Sequence, residues 1–262
     1  MKNKQRKLIY KPILRGNWHS GKAALRGLKI LAYYGAFAVA FLLMGMMLGF
    51  DNDLLRWVTN MALVAICAMI LFSVGARAGE EEVNFGEIAY AHREAGKEVS
   101  AKELERCYHP LKGWFTFACA AAVILLLTVP HALTAQRQTY SLQPLPAWVT
   151  AFRGHEEITA PLSYYSTGLS LTGWDALRVI VRVLVFPFSS AVGVRNVDGM
   201  LAVDRLSPLL ALIPALAYPI GYLTGPRARA AVHGDISASI RRKQRREKKA
   251  RQARTEKKNE LI

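Results

Sequence analysis

Cysteine is scarce: the 262-residue chain has three, an odd number, so no disulfide framework organises it. Cys67 and Cys119 lie in apolar runs and Cys107 in a charged stretch, and each is expected to be a reduced thiol. Acidic side chains are also few, 19 Asp and Glu against 35 Lys and Arg, and both ends are strongly basic. Residues 2–26 carry eight basic and no acidic side chains, and residues 226–262 carry 13 basic and four acidic. The middle is therefore close to neutral although the whole chain bears +16, and 52% of the residues are hydrophobic. A soluble nucleic-acid-binding domain would spread basic charge over a polar surface. A neutral apolar centre between basic ends is the composition of a membrane protein.

Several chemical signatures are missing too. There is no glycine-rich phosphate loop and no G-x-S-x-G nucleophile setting. His155, Glu156 and Glu157 form a polar cluster, but the pattern is not H-E-x-x-H and no second His or Cys follows at helical spacing. The ligand geometry of a zinc enzyme is thus lacking. Cys107 and His109, with His92, have no C-x-x-C partner, so a surface thiol is the expected reading there. No catalytic, metal or cofactor-binding residue is assigned, and no cofactor is implied.

What is present is length without charge. Residues 31–50 are 20 uncharged positions, enough at about 1.5 Å per residue to cross a hydrocarbon core of about 30 Å. The run exceeds the core of a signal peptide and is followed by Asp51, Asn52 and Asp53, so it is expected to remain as a span. Residues 57–75 supply a second run, residues 113–136 a third with only His131 titratable, and residues 206–225 a fourth interrupted by Pro208, Pro214 and Pro219. Residues 174–194 are ambiguous. Arg178 and Arg182 sit one turn apart, and the uncharged remainder, residues 183–194, is short and broken by Pro187. Such a piece reads as an amphipathic or re-entrant segment. Five spans, the alternative, would put the basic ends on opposite sides, whereas four keep both in the cytoplasm as the positive-inside rule demands.

The expected fold is all-α: a polytopic integral membrane protein of four transmembrane helices plus an amphipathic outer-surface segment. Residues 1–27 form a basic cytoplasmic segment, 28–75 a transmembrane hairpin, 76–111 a cytoplasmic helical loop and 112–136 the third span. Residues 137–205 form an extracytoplasmic loop containing 174–194, residues 206–225 the fourth span, and residues 226–262 a basic cytoplasmic tail. The loop 76–111 has eight acidic and five basic residues, and its charge complements the basic ends. Asn84 with Glu87 and Ser100 with Glu103 have capping-box spacing, which predicts two short helices, the second ending at Pro110. With no transit peptide or lipidation signal recognised, a bacterial plasma membrane is the expected home.

The candidate interaction residues follow from this layout. Arg241, Arg242, Lys243, Arg245, Arg246, Lys248 and Lys249 lie in a helix-forming tail without aromatics, so contact with anionic lipid headgroups or phosphate is expected and sequence-specific nucleic-acid recognition is not. Gly45 and Gly49 form a G-x-x-x-G suited to close helix packing, within the monomer or in a homo-oligomer. The span centres lack charge, which disfavours a coupled transporter. The leading reading is a non-enzymatic accessory or scaffold subunit with a protein partner. A small permease or channel-like subunit is the alternative, and an outer-surface enzyme the third.

Overall fold

Long uncharged runs favour helix because only there are all backbone N–H and C=O groups satisfied within the segment. The computed structural model describes residues 8–19, 21–47, 52–136, 173–193 and 196–259, and among them the regular structure is entirely helical. The helices are α1 (Gly21–Met47), α2 (Asp53–Glu94), α3 (Ala101–Leu104), α4 (Pro110–Leu133) and α5 (Gly173–Leu184). They are followed by α6 (Phe186–Val192), α7 (Val197–Ala215), α8 (Ala217–Leu223) and α9 (Gly225–Asn259). Four stretches of the described residues are long and apolar enough to cross a membrane: Gly21–Met44, Asp53–Glu94, Pro110–Leu133 and Val197–Leu223.

Proline sets several of the breaks. Pro187 offers no N–H to the carbonyl of Val183, and the chain leaves helical geometry at Val185, between α5 and α6. These pieces have 12 and 7 residues, so neither reaches across about 30 Å of hydrocarbon. Pro219 and Pro226 deny N–H groups to Ala215 and Tyr222, and single-residue interruptions fall at Leu216 and Thr224. Pro208 and Pro214 are carried inside α7, as Pro130 is inside α4.

Two expectations about the loop 76–111 need correction. No helix starts at Asn84, because α2 runs without interruption through 42 residues to Glu94. Residues 76–83 are mostly Ala, Arg and Glu, strong helix formers, and nothing there ends the helix. Asn84 and Glu87 are instead interior residues with side chains engaged elsewhere. The real end comes at Gly96, whose φ of 73° lies in the left-handed region. Its N–H bonds to the Arg93 carbonyl and that of Lys97 to the His92 carbonyl, the two bonds of a Schellman cap. The second capping box forms as expected: the Ser100 hydroxyl accepts from the Glu103 N–H at 3.3 Å, and the Glu103 carboxylate accepts from the Ser100 N–H at 2.9 Å. That helix closes after Leu104, however, and Pro110 opens α4 rather than ending α3. Its missing N–H costs nothing at a first helical position.

The chain divides into two compact units. One comprises residues 1–27, 69–118 and 216–262. Its core is Val83, Tyr108 and Tyr222 with Ile13 and Ala78 against them, and the two tyrosine rings stack at 5.2 Å. The backbones of α2 and α8 meet directly in this unit. A Cβ on Gly75 would lie 2.2 Å from the Tyr218 carbonyl oxygen, one on Gly79 2.3 Å from that of Tyr222, and one on Gly221 2.1 Å from that of Phe72. Gly75 with Gly79 and Gly221 with Gly225 are both G-x-x-x-G pairs. Of the pair proposed from sequence, Gly45 lies in α1 and Gly49 outside the described residues.

The other unit comprises residues 28–68 and 119–215. Ile124, Val185, Val203 and Ala211 form its core, flanked by Leu31, Phe188 and Leu210. Arg56 and Asn60 of α2 reach the Ala191 carbonyl at 3.5 Å and the Ser190 hydroxyl at 3.2 Å, which fastens α6. On α5 Asp175, Arg178 and Arg182 share one face while Ile180 is exposed on the other, so this short helix is amphipathic.

Candidate functional site

In the first unit the sites are built on carboxylates of α2. Glu82 is 3% exposed and is met from three helices. Arg26 of α1 and the Tyr222 hydroxyl of α8 donate to it, and the Lys112 ammonium of α4 stands 3.1 Å from Oε2. Lys112 is itself 1% exposed and donates to the carbonyls of Glu105 at 2.9 Å and Cys107 at 2.8 Å. The ammonium therefore has two carbonyl acceptors and a carboxylate counter-charge, the kind of compensation under which a buried ion pair is tolerated. Around this centre burial pushes the Cys107 thiol and the Tyr108 hydroxyl upward in pKa. Burial, with Arg15 and Lys112 nearby, lowers that of His109.

One turn further along α2, Glu87 accepts from Arg229 Nε at 3.2 Å and contacts His233 Nε2 at 2.8 Å. Asn84 accepts from the other end of the same guanidinium at 2.6 Å. The N-terminal segment is held mainly through its backbone. Leu14 N–H bonds to the Gly86 carbonyl, Gly16 N–H to that of Tyr108, and Ile9 N–H to that of Ala230. The acidic stretch thus ties down both basic ends, the complementarity anticipated from charge. Arg241, Arg242, Lys243, Arg245, Arg246, Lys248 and Lys249 continue on the same helix, α9, and all are exposed.

The second unit contains a buried carboxylate that sequence reasoning placed in a loop. Asp204 is 3% exposed on α7, which begins at Val197, nine positions before the uncharged run. Arg182 of α5 grips it with two bonds, Nε to Oδ1 at 3.1 Å and an NH2 group to Oδ2 at 2.6 Å. His131, also 3% exposed, brings Nε2 to 3.4 Å from Oδ1 without hydrogen-bond geometry. Arg178 instead pairs within its own helix, with Asp175 at 2.8 Å. The two arginines therefore do different things: Arg182 reaches α7 and Arg178 stays on α5. His131, the one histidine of the third uncharged run, is packed against the carboxylate.

His155, Glu156 and Glu157 lie outside the described residues. Among the described residues no three His, Cys, Asp or Glu side chains converge as metal ligands. Asp204 escaped notice because the hydropathy signal starts after it, and Glu82 because it is one of three consecutive glutamates with no local mark of burial. The glycine pairs at 75/79 and 221/225 had a legible signature, the same small-residue spacing assigned to Gly45 and Gly49. Compared with protein-family models, with curated proteins and with solved structures, the chain matches none.

Proposed function

We propose that the chain is an integral plasma-membrane protein of four spans with both termini in the cytoplasm of a bacterial cell. It works there as a non-enzymatic accessory or scaffold subunit, holding its basic helix α9 ready for anionic headgroups and for a protein partner. The observation that supports this is the contrast along α9. Its first turns are anchored through Arg229 and His233 on Glu87, while the seven basic residues from Arg241 to Lys249 are exposed. Anchoring removes much of the entropy cost of presenting the charge. Each Lys or Arg near an anionic surface then adds about 1 kcal/mol.

A permease reading lacks comparable support. Pro214 borders a void of only about 10 Å³, lined by apolar side chains such as Phe37, Phe41 and Phe188. Arg182 is committed to Asp204 and Arg178 to Asp175.

Single cysteines at Ser163, Asp198 and Ser239, in a cysteine-free background, test the threading with a membrane-impermeant maleimide on intact cells. Labelling at Ser163 and Asp198 but not at Ser239 is expected. Gly199, next to Asp198, is unsuited because its Cβ would meet Val192 at 2.5 Å. Purification in mild detergent should recover a partner at fixed stoichiometry, and changing the seven basic residues to Gln should release it. Labelling of Ser239, or a homogeneous particle of this chain alone, refutes the proposal.

A further inference from the structure

Beside the Glu82 cluster lies a cleft of about 290 Å³, lined by Lys22, Arg26, Glu81, Glu82, Phe85, Glu105 and Arg106. Six charged side chains, three of each sign, converge on it. Arg26 and Glu82 are paired with each other. Among the described residues the remaining four, Lys22 and Arg106 against Glu81 and Glu105, make no ion pair. Opposite charges that line one cleft and stay apart leave room for a ligand that carries both signs. The lining is neutral in sum, so a ligand with a net charge would be met by uncompensated charge of its own sign. The volume sits at the lower edge of ligand pockets, roughly 300 Å³, and suits a small polar group.

Position in the chain narrows the class. Lys22 and Arg26 precede the uncharged run starting at residue 31, and Glu82 follows the one ending at residue 75 by seven positions. At 1.5 Å per helical residue these groups lie within about 15 Å of the apolar ends, the depth of the headgroup layer. Phosphate on a lysine and an arginine is favourable charge-assisted pairing. A primary ammonium has three protons for two carboxylates. A quaternary ammonium has none and seeks open aromatic faces. The one aromatic ring in the lining, Phe85, is already covered by the Arg106 guanidinium at 5.7 Å.

We infer that this cleft binds the phosphoethanolamine headgroup of a membrane lipid, its phosphate on Lys22 and Arg106 and its ammonium on Glu81 and Glu105. This rests on the membrane reading above, and deepens it by giving the protein a zwitterionic lipid partner distinct from the anionic surface that α9 meets. The lipid's acyl chains would leave the cleft over the apolar helix surface, where Leu25 is exposed.

The test uses the full chain in detergent, delipidated and then supplied with phosphatidylethanolamine, phosphatidylcholine or phosphatidylglycerol, with bound lipid read by native mass spectrometry. One molecule of phosphatidylethanolamine should persist under activation that strips the other two. Glu81→Gln with Glu105→Gln should weaken it about tenfold or more, to the level of phosphatidylcholine, through the lost charge-assisted bonds. Lys22→Gln with Arg106→Gln should weaken both zwitterionic lipids alike. Unchanged elution and thermal midpoint confirm that the variants fold, as expected for side chains at the rim of a cleft. Equal retention of all three lipids, or full retention by the glutamine variants, overturns the assignment. Tighter binding of free phosphoethanolamine than of phosphatidylethanolamine identifies a soluble ligand and overturns the lipid source. Extraction of the chain from membranes by alkaline carbonate would sink the membrane reading itself. Resistance to carbonate without lipid preference would sink only this inference.

Discussion

Adding one carbon at Gly221 probes the close contact between α2 and α8. The new Cβ would lie 2.1 Å from the Phe72 carbonyl oxygen and 2.8 Å from its carbon. A carbon normally approaches a carbonyl oxygen no closer than about 3.3 Å, so α2 and α8 would have to part by about 1 Å. The obstacle is backbone, which cannot step aside by changing rotamer. Overpacking of this kind costs about 1–3 kcal/mol, and the better helix propensity of alanine returns roughly 0.5–1 kcal/mol. The net expectation for Gly221→Ala is a loss centred on about 1 kcal/mol and no larger than about 2.5 kcal/mol, a change of roughly 5-fold and at most about 70-fold in the unfolding equilibrium. Gly35, inside α1, is the matched control, because a Cβ there meets nothing within 4 Å. Gly35→Ala should keep the full propensity gain of roughly 0.5–1 kcal/mol. Both are measured by titrating the detergent-solubilised protein with dodecyl sulfate and following tryptophan fluorescence. Equal shifts for the two variants, or a stabilised Gly221→Ala, would refute the claim that α2 and α8 touch through glycine.

Arg182→Ala strands the buried Asp204 carboxylate and should cost about 3–5 kcal/mol in the same titration, whereas Arg182→Met combined with Asp204→Asn should cost much less. If the double variant is as damaged as the single one, lost packing rather than stranded charge is the cause. Cys107 has no exposed surface, its thiol donates to the Glu103 carbonyl at 3.2 Å, and burial raises its pKa. N-ethylmaleimide should therefore modify it far more slowly in the folded protein than after denaturation. Because the folded pKa lies above the unfolded value, its contribution to stability is complete below the unfolded value of about 8.5 and is lost as pH rises through the folded one. Native-state labelling at the denatured rate would contradict the burial. Limited trypsin digestion should cut wild-type α9 within the exposed basic stretch and spare Arg229, while Glu87→Gln should open Arg229 to cleavage. Early cutting at Arg229 in the wild type would mean that the anchor does not hold.

Read residue by residue, the sequence carries what local chemistry decides. Uncharged runs of 19 or more positions need no partner to declare themselves, since their length and hydropathy are properties of the segment. The Ser100–Glu103 box is equally local, and it formed. Asn84 and Glu87 show where local spacing misleads: the same two residue types inside a continuous helix serve Arg229 and His233, 142 or more positions away. The gathering of acidic charge against basic ends was visible as a sum, but not which carboxylate would be buried.

Which of Glu80, Glu81 and Glu82 points inward depends on the phase at which α2 meets α4 and α8, and that phase is set where Gly75 and Gly79 let the backbones approach. Asp204 owes its burial to Arg182 on another helix and His131 on a third. The sequence by itself determined that the chain is helical, that four stretches are long and apolar enough to cross a membrane, and that its ends are basic. Tertiary structure alone decided which charges are paired, which are left facing a cleft, and which glycines carry a helix crossing, because each depends on residues far apart in the chain meeting at one point in space.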